Sequence, residues 1–187
     1  MIDGCYILDT SAILILHREI NRGYYSSDVL SRIEQAIRDG RIWIPPQVIE
    51  ELKVKEDTSF KWAREHYDKH PRNKDFNAEI QELQSEVKGL LIRTPQIRNQ
   101  LKGADLYLIG WAKVLKKLRS VEAVVVTQEG TSAVVPTQEE TPAAIANPEV
   151  GKSNKNIPEA CHKEGVPCKN LTGMFAELGW KFLNKAP

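Results

Sequence analysis

The chain has 187 residues, of which 41% are hydrophobic, and a formal net charge of +1 at pH 7. This length suits a single domain over residues 1–187, and the near-neutral charge excludes an overall basic surface for nucleic acid. No apolar stretch is long enough to cross a membrane, and the N-terminus lacks a signal-peptide pattern. We therefore expect a cytoplasmic protein.

The cysteine content also favours a reducing compartment. Cys5, Cys161 and Cys168 make an odd number, which is typical of free thiols rather than of a disulfide framework. Cys161, His162 and Cys168 also suggest zinc, but a closed zinc site takes four ligands and no fourth is evident. We interpret the cysteines as core or surface thiols.

In the first half of the chain, short apolar runs alternate with helical periodicity. The first run ends at the carboxylate of Asp9, where a buried strand passes into a helix. An acid at this place is also an ordinary helix N-cap, so Asp9 alone favours neither function nor structure. The predicted elements are a strand at 5–9, a helix at 11–19, a helix from 28 to 40, a strand at 41–44 and a helix from Pro46.

A charged segment with helical periodicity, residues 58–99, follows and predicts a helical arm on the domain. Its apolar stripes allow either a solvated hairpin or a clamp or dimer surface, and we predict that Leu83 and Val87 contribute to a homodimer.

The second half of the chain alternates in the same way. A helix is predicted at 103–119 and a β-branched, central strand at 123–127. Residues 130–155 contain three prolines and no aromatic residue, which predicts a flexible loop insertion. The remaining predicted elements are a short helix from Ile157 to Gly165, an edge strand at 166–168 and a C-terminal helix from Leu171 to Phe182.

This alternation predicts an α/β fold in three α/β/α layers around a mostly parallel sheet. Strand ends and helix starts share one edge of such a sheet, where ligands bind. Acids occupy four of these positions, which are Asp9, Glu50 or Glu51, Asp105 and Glu129.

Carboxylates brought together in this way repel one another. Two charges about 4 Å apart cost about 4 kcal/mol at an effective dielectric near 20. Such a cluster persists only when it is protonated or filled by a cation, and oxygen ligands suit Mg²⁺ or Mn²⁺. An ion of this kind activates water and neutralises the charge that develops on a phosphodiester.

Other α/β chemistries lack their signatures here. No glycine-rich turn follows the first strand, which disfavours a dinucleotide fold, and no Gly-x-Ser-x-Gly elbow supplies an acyl nucleophile. An aspartyl phosphatase needs a second acid two positions after Asp9, where Ser11 stands. A phosphatase-like hydrolase whose acids bind metal remains an alternative.

Four segments resemble, in order, the acidic motifs of PIN-domain nucleases. They are Tyr6-Ile7-Leu8-Asp9-Thr10-Ser11-Ala12, Ile44-Pro45-Pro46-Gln47-Val48-Ile49-Glu50-Glu51-Leu52, Gly103-Ala104-Asp105-Leu106-Tyr107-Leu108-Ile109 and Val125-Val126-Thr127-Gln128-Glu129. From Asn156 onward the chain resembles an uncharacterised bacterial branch of VapC-type toxin candidates.

The resemblance implies a metal-dependent endoribonuclease, commonly a homodimer and the toxin of a type II toxin–antitoxin pair, with an RNA substrate and a cognate antitoxin as partners. Its implied catalytic and metal residues are Asp9, Glu51, Asp105 and Glu129, with Mg²⁺ or Mn²⁺ as cofactor. The acid before Leu52 matches the second motif best, which favours Glu51 over Glu50. Supporting roles fall to Thr10, Ser11, Thr127 and Glu50, and phosphate contacts to Lys53, Lys55, Arg64 and Arg72.

The sequence departs from the PIN pattern at its fourth acid. This acid is usually Asp, whereas Glu129 is one methylene longer and is followed by the long loop. The departure leaves open a catalytically inactive PIN-like module that binds RNA or a protein partner.

Overall fold

A computed structural model describes residues 4–26, 28–69, 85–90, 92, 104–129 and 157–180. Its centre is a four-stranded sheet in which every paired strand is parallel, in the order β2-β1-β3-β4. Helices flank this sheet, which confirms the predicted three-layer α/β/α fold. The strands are β1 (Gly4–Leu8), β2 (Ile42–Trp43), β3 (Glu122–Val126) and β4 (Cys168–Lys169).

The helices begin and end mostly where local signals predict. Asp9 caps the first helix, Pro46 opens the third, and Gly40, at a φ of 71°, follows the second. The helices are α1 (Thr10–Asn21), α2 (Asp28–Arg38), α3 (Pro46–Leu52), α4 (Thr58–Lys69), α5 (Ala104–Arg119), α6 (Ile157–Glu164) and α7 (Leu171–Glu177). No helix in these described ranges is long and apolar enough to span a membrane.

The C-terminal helix is shorter than predicted. α7 ends at Glu177 rather than Phe182 because Gly179 takes a left-handed conformation, at a φ of 68°. The Trp180 N–H then donates to the Phe175 carbonyl at 2.8 Å, and the two rings pack with centroids 6.1 Å apart. The edge strand, predicted at 166–168, begins two residues later, at Cys168, and ends at Lys169.

The predicted arm, residues 58–99, is described only in part, and that part does not project from the domain. α4 packs against α1, α2 and α3 and buries Ala63 completely. Residues 85–90 are helical, and Val87 is fully buried in the core of its own chain. Val87 is therefore not available to a dimer interface, which corrects that prediction. Leu83, Arg72 and the predicted loop at 130–155 lie outside the described residues.

The core joins the elements that position the acids. The rings of Trp43 on β2 and Trp111 on α5 meet edge to face, with centroids 4.4 Å apart. The buried indole N–H of Trp111 donates to the Gln47 side chain on α3 at 3.0 Å. This packing places α3 beside α5, so the acids that these helices carry lie near the end of β1.

Candidate carboxylate site at the carboxyl edge of the sheet

Asp9 is the most enclosed of the candidate acids. It follows β1 directly, is only 2% exposed and caps α1. Its Oδ1 accepts from the Thr10 N–H at 2.6 Å. Its Oδ2 accepts from the Ser11 hydroxyl at 2.5 Å, the Ser11 N–H at 3.2 Å and the Thr127 hydroxyl at 3.0 Å. The structural and functional interpretations of Asp9 are therefore compatible, because the cap fixes the carboxylate at the sheet edge.

Ser11 and Thr127 tie the ends of β1 and β3 together around that carboxylate. The Ser11 hydroxyl accepts from the Gln128 N–H at 3.0 Å, and the Thr127 hydroxyl accepts from the Glu129 N–H at 3.1 Å. Each hydroxyl thus donates to Asp9 and accepts from the chain after β3. Ser11 and Thr127, two of the predicted supporting residues, therefore lie in the site and orient the backbone that carries Glu129.

Glu51, and not Glu50, is the acid that α3 brings to the site. Its Oε2 accepts from the Thr10 hydroxyl at 2.5 Å and its Oε1 from the Ala104 N–H at 3.1 Å. Glu51 therefore links the start of α1 to the first turn of α5. Glu50 is exposed to solvent.

Asp105 shows that the acids interact. It lies in the first turn of α5 and is half-buried. Burial and, in decreasing order, the charges of Asp9, Glu129 and Glu51 together raise its pKa to about 7. Burial also raises the pKa of Asp9, and Glu129 adds to that shift, while the hydrogen bonds to Asp9 oppose it.

Glu129 follows β3 and has a second, structural role. Its Oε2 accepts from the N–H of Ile157, the first residue of α6, at 2.9 Å. This is a helix-capping contact between residues separated by the undescribed segment. Sequence reasoning missed it, because no local signal links an acid to a helix that begins 28 positions later.

The four acids supply the oxygen atoms that Mg²⁺ or Mn²⁺ prefers, but their side chains are not arranged as a metal site. All four acids offer oxygen, and no described lysine or arginine forms an ion pair with any of them. Within the described residues, however, no three His, Cys, Asp or Glu side chains are grouped so that they could hold a metal ion. Asp9 and Glu51 direct both of their oxygens at donors of the chain. A carboxylate oxygen that accepts one hydrogen bond keeps a second lone pair, so these contacts leave room for a metal ion.

The predicted phosphate-binding residues lie on the surface where they are described. Lys53 and Lys55 are exposed in the turn that follows α3, just beyond Glu51, and Arg64 is exposed on α4. Of these predicted phosphate contacts, only Lys53 and Lys55 lie within a few residues of a candidate acid, Glu51, along the chain.

A cavity of about 390 Å³ opens beside Glu129. Its lining includes Thr127 and Glu129 from the acid site and His162 and Cys168 from α6 and β4. Sequence reasoning did not place α6 and β4 next to the acids, because this proximity depends on how the last elements pack.

No curated protein and no solved structure matches the chain. One family model, described as a domain of unknown function (DUF4411), matches residues 6–182. The match includes all four acids and every helix and strand described except the first two residues of β1. The chain belongs to the DUF4411 domain family.

Proposed function

We propose that the chain is a metal-dependent endoribonuclease of the PIN type that hydrolyses RNA phosphodiester bonds with Mg²⁺ or Mn²⁺. The observation that carries the proposal is that acids from different elements meet at one edge of the sheet: Glu51 accepts from the Thr10 hydroxyl beside Asp9, and burial with the charges of Asp9, Glu129 and Glu51 raises the pKa of Asp105 to about 7. Like charges held together in a partly buried site are costly, and perturbed carboxylates of this kind concentrate at functional sites.

The chain's own residues would prepare the site for a cation. Asp9 is held by Ser11 and Thr127, and Glu51 is held by Thr10 and the first N–H of α5. The ion, when bound, supplies charge neutralisation and an activated water. Asp105 would release its proton as the cation offsets the neighbouring charges. Glu129 would serve as a second-site or outer ligand, because α6 already uses one of its oxygens.

Substrate and partner assignments follow from the resemblance. The RNA backbone would approach over the exposed Lys53 and Lys55, with Arg64 and Arg72 as more distant contacts. The protein partner would be the antitoxin of a type II pair. A homodimer remains part of the proposal, but its interface would use residues other than the buried Val87.

The two adjacent glutamates of α3 provide a matched test. Purified protein is incubated with RNA and, separately, with a small phosphate ester, each with and without Mn²⁺. We expect RNA cleavage that needs Mn²⁺, that Asp9→Asn and Glu51→Gln abolish, and that the exposed-residue control Glu50→Gln retains. Equal loss in Glu50→Gln and Glu51→Gln would contradict the site, and cleavage of the ester alone would favour the phosphatase-like alternative.

A second candidate is a catalytically inactive PIN-like module that binds RNA or a protein. Two observations favour it: Glu129 caps α6, and no three acids are grouped to hold a metal ion in the described residues. Calorimetric titration with Mn²⁺ separates the candidates, since the enzyme should bind the ion and Asp105→Asn should remove that binding. RNA binding without Mn²⁺ binding or cleavage would establish the inactive module.

A further inference from the structure

The cavity beside Glu129 adjoins the carboxylate site. Thr127 and Glu129 line it, and the Thr127 hydroxyl also donates to Asp9 at 3.0 Å. Its other walls come from α6, from β4, where Cys168 is a free thiol, and from the residues on either side of β4. The cavity volume of about 390 Å³ lies within the range of pockets that hold small molecules. A substrate bound at the acids therefore has room to place one of its groups here.

In the strand order of the sheet, the cavity and the exposed lysines lie on opposite sides of the acids. Lys53 and Lys55 follow α3, which comes after the outer strand β2, whereas the cavity lies where β3 ends beside the outer strand β4. Asp9 and Thr127 follow the two central strands, β1 and β3. A polynucleotide whose reacting phosphate lies at the acids would therefore meet the lysines on one side and the cavity on the other.

Asn170 offers the cavity a fixed amide donor. It lines the cavity, and its Oδ1 caps α7 by accepting from the Gly173 N–H at 2.7 Å. Gly173 leaves space for this contact, because a Cβ there would lie 3.3 Å from the Asn170 oxygen. The cap holds the side chain in one orientation, and its NH₂ group has no acceptor among the residues that the structure describes. That group is therefore left to donate to a ligand.

The other side chains of the cavity favour a flat ring rather than a phosphate. His162 presents an exposed imidazole from α6, and Pro158 and Val166 add apolar surface. Lys169 also lines the cavity, but its charge is already paired with Glu177. Unpaired RNA bases are recognised by stacking on rings such as imidazole and by hydrogen bonds to their edges. A stacking surface beside a fixed amide donor is suited to one nucleobase.

We propose that this cavity is a subsite for the nucleobase next to the phosphodiester that lies at the acids. The NH₂ group of Asn170 donates to an acceptor on the base edge, such as a carbonyl oxygen or a ring nitrogen, and His162 stacks on its face. The inference rests on the proposed function for its substrate class, RNA. It adds where one base binds and which residues give the chain a preference among bases.

The subsite is tested by nuclear magnetic resonance titration of the nitrogen-15-labelled full chain. The probes are adenosine, cytidine, guanosine and uridine, which are uncharged and so are not repelled by the acids, in the presence of a chelator. We expect at least one nucleoside to shift the side-chain amide of Asn170 and the backbone amides of 157–162 and 168–170. Ribose, which lacks the base, should shift none of them. The inference is overturned if no nucleoside shifts these signals, or if ribose shifts them equally.

Substitutions separate base recognition from helix capping. Asn170→Ser keeps a good N-cap and removes the amide, so the affinities for the nucleosides should become more alike while thermal stability stays the same. His162→Ala should weaken binding about five-fold or more, whereas His162→Phe should retain it because it keeps a planar ring. Lys163→Gln is the control, since Lys163 is exposed on α6 and does not line the cavity. Unchanged affinities in both Asn170→Ser and His162→Ala would contradict the subsite.

The titration needs neither a metal ion nor cleavage, so the subsite and the nuclease fail separately. Nucleoside binding at Asn170 by a chain that shows no Mn²⁺-dependent cleavage would support the subsite and contradict the nuclease. Mn²⁺-dependent cleavage of RNA by a chain whose Asn170 amide no nucleoside shifts would support the nuclease and overturn the subsite. If both hold, Asn170→Ser should relax the base preference beside the cleaved bond, as mapped on RNA of mixed sequence.

Discussion

The two ends of α5 place charged side chains in opposite settings. At its N-terminal end, burial and the charges of Asp9, Glu129 and Glu51 raise the pKa of Asp105 to about 7. At its C-terminal half, Lys113 forms a partly buried ion pair with Glu164, and Lys116 lies 4.0 Å from Glu122. The helix dipole favours an acid in the first turn, at Asp105, and a cation in the last turn, at Lys116, by about 0.3–1 kcal/mol each, which is too little to compensate for a partly buried cluster of acids.

The difference supports the proposal that the N-terminal end of α5 is functional and that its C-terminal half is structural. At the lysine end of α5, the half that carries Lys113 and Lys116, each positive charge is paired with a glutamate, so this end needs no ligand. At the acid end of α5, where Asp105 interacts with Asp9, Glu51 and Glu129, no described lysine or arginine pairs with the like charges, so these charges destabilise the folded chain. Natural proteins usually keep such a destabilising arrangement only where function needs it. Substitutions at the two ends should therefore have opposite effects on stability.

Among the substitutions at the two ends of α5, Asp105→Asn should have the largest effect, because it should reduce RNA cleavage without reducing the stability of the fold. Removing one repelling charge should leave the fold at least as stable at neutral pH, while RNA cleavage falls by about 100-fold or more, since even outer-shell partners of a metal contribute about 10–100-fold. Cleavage rates and thermal unfolding are measured on the same preparation. A variant that loses stability and activity together would show that Asp105 is structural.

A smaller effect is expected at the hydroxyl that orients Asp9. Ser11→Ala removes a donor to Asp9 and the acceptor of the Gln128 N–H, which costs about 1–3 kcal/mol of unfolding free energy. Denaturant titration measures this loss, and Ser11→Thr should recover part of it. Unchanged stability in Ser11→Ala would mean that the neighbouring Thr127 alone holds the carboxylate.

The raised pKa of Asp105 at the acid end also predicts that the stability of the fold depends on pH. The folded chain keeps a proton on Asp105 up to about pH 7, whereas the unfolded chain releases it near the ordinary aspartate pKa of 3.8. Through this group, stability is greatest below pH 4 and falls as the pH rises toward 7. Without metal we expect a fall of about 1–2 kcal/mol over that range, discounted for solvent exposure.

Asp105→Asn should reduce this loss of stability between pH 4 and 7, whereas Glu50→Gln, the control at an exposed residue, should leave it unchanged. The measurement is thermal unfolding between pH 4 and 8 in the presence of a chelator. An equal slope in the Asp105→Asn variant would place the titration elsewhere in the chain. Added Mn²⁺ should also remove the fall in the unsubstituted protein, because the cation replaces the proton.

The smallest effects are expected at the lysine end. Lys113→Met should destabilise the fold by about 1 kcal/mol because it leaves the partly buried Glu164 without its partner, and Lys116→Met by about 0–0.5 kcal/mol because that pair is exposed. Both variants should retain activity and the pH dependence of the unsubstituted chain. Loss of cleavage in Lys113→Met would extend the functional region along α5.

Much of the fold could be predicted from local patterns. Apolar runs ending at Asp9 and before Thr127 mark β1 and β3, while Pro46 and Gly40 mark a helix start and a helix end. These signals lie within a few residues of the elements that they define, so a single sequence contains them. The same patterns placed four acids at one edge, where the pKa of Asp105 shows that they interact.

Contacts between distant residues were decided only by the tertiary structure. The hydroxyl of Thr10 contacts Glu51, Glu129 caps α6, and α4 packs into the body of the domain instead of projecting from it. Each arrangement depends on how helices pack across the sheet, which periodicity and capping signals do not encode. Sequence determined which side chains reach the edge of the sheet, and packing determined which partners they meet there, because hydrogen bonds and charge interactions depend on distance in space.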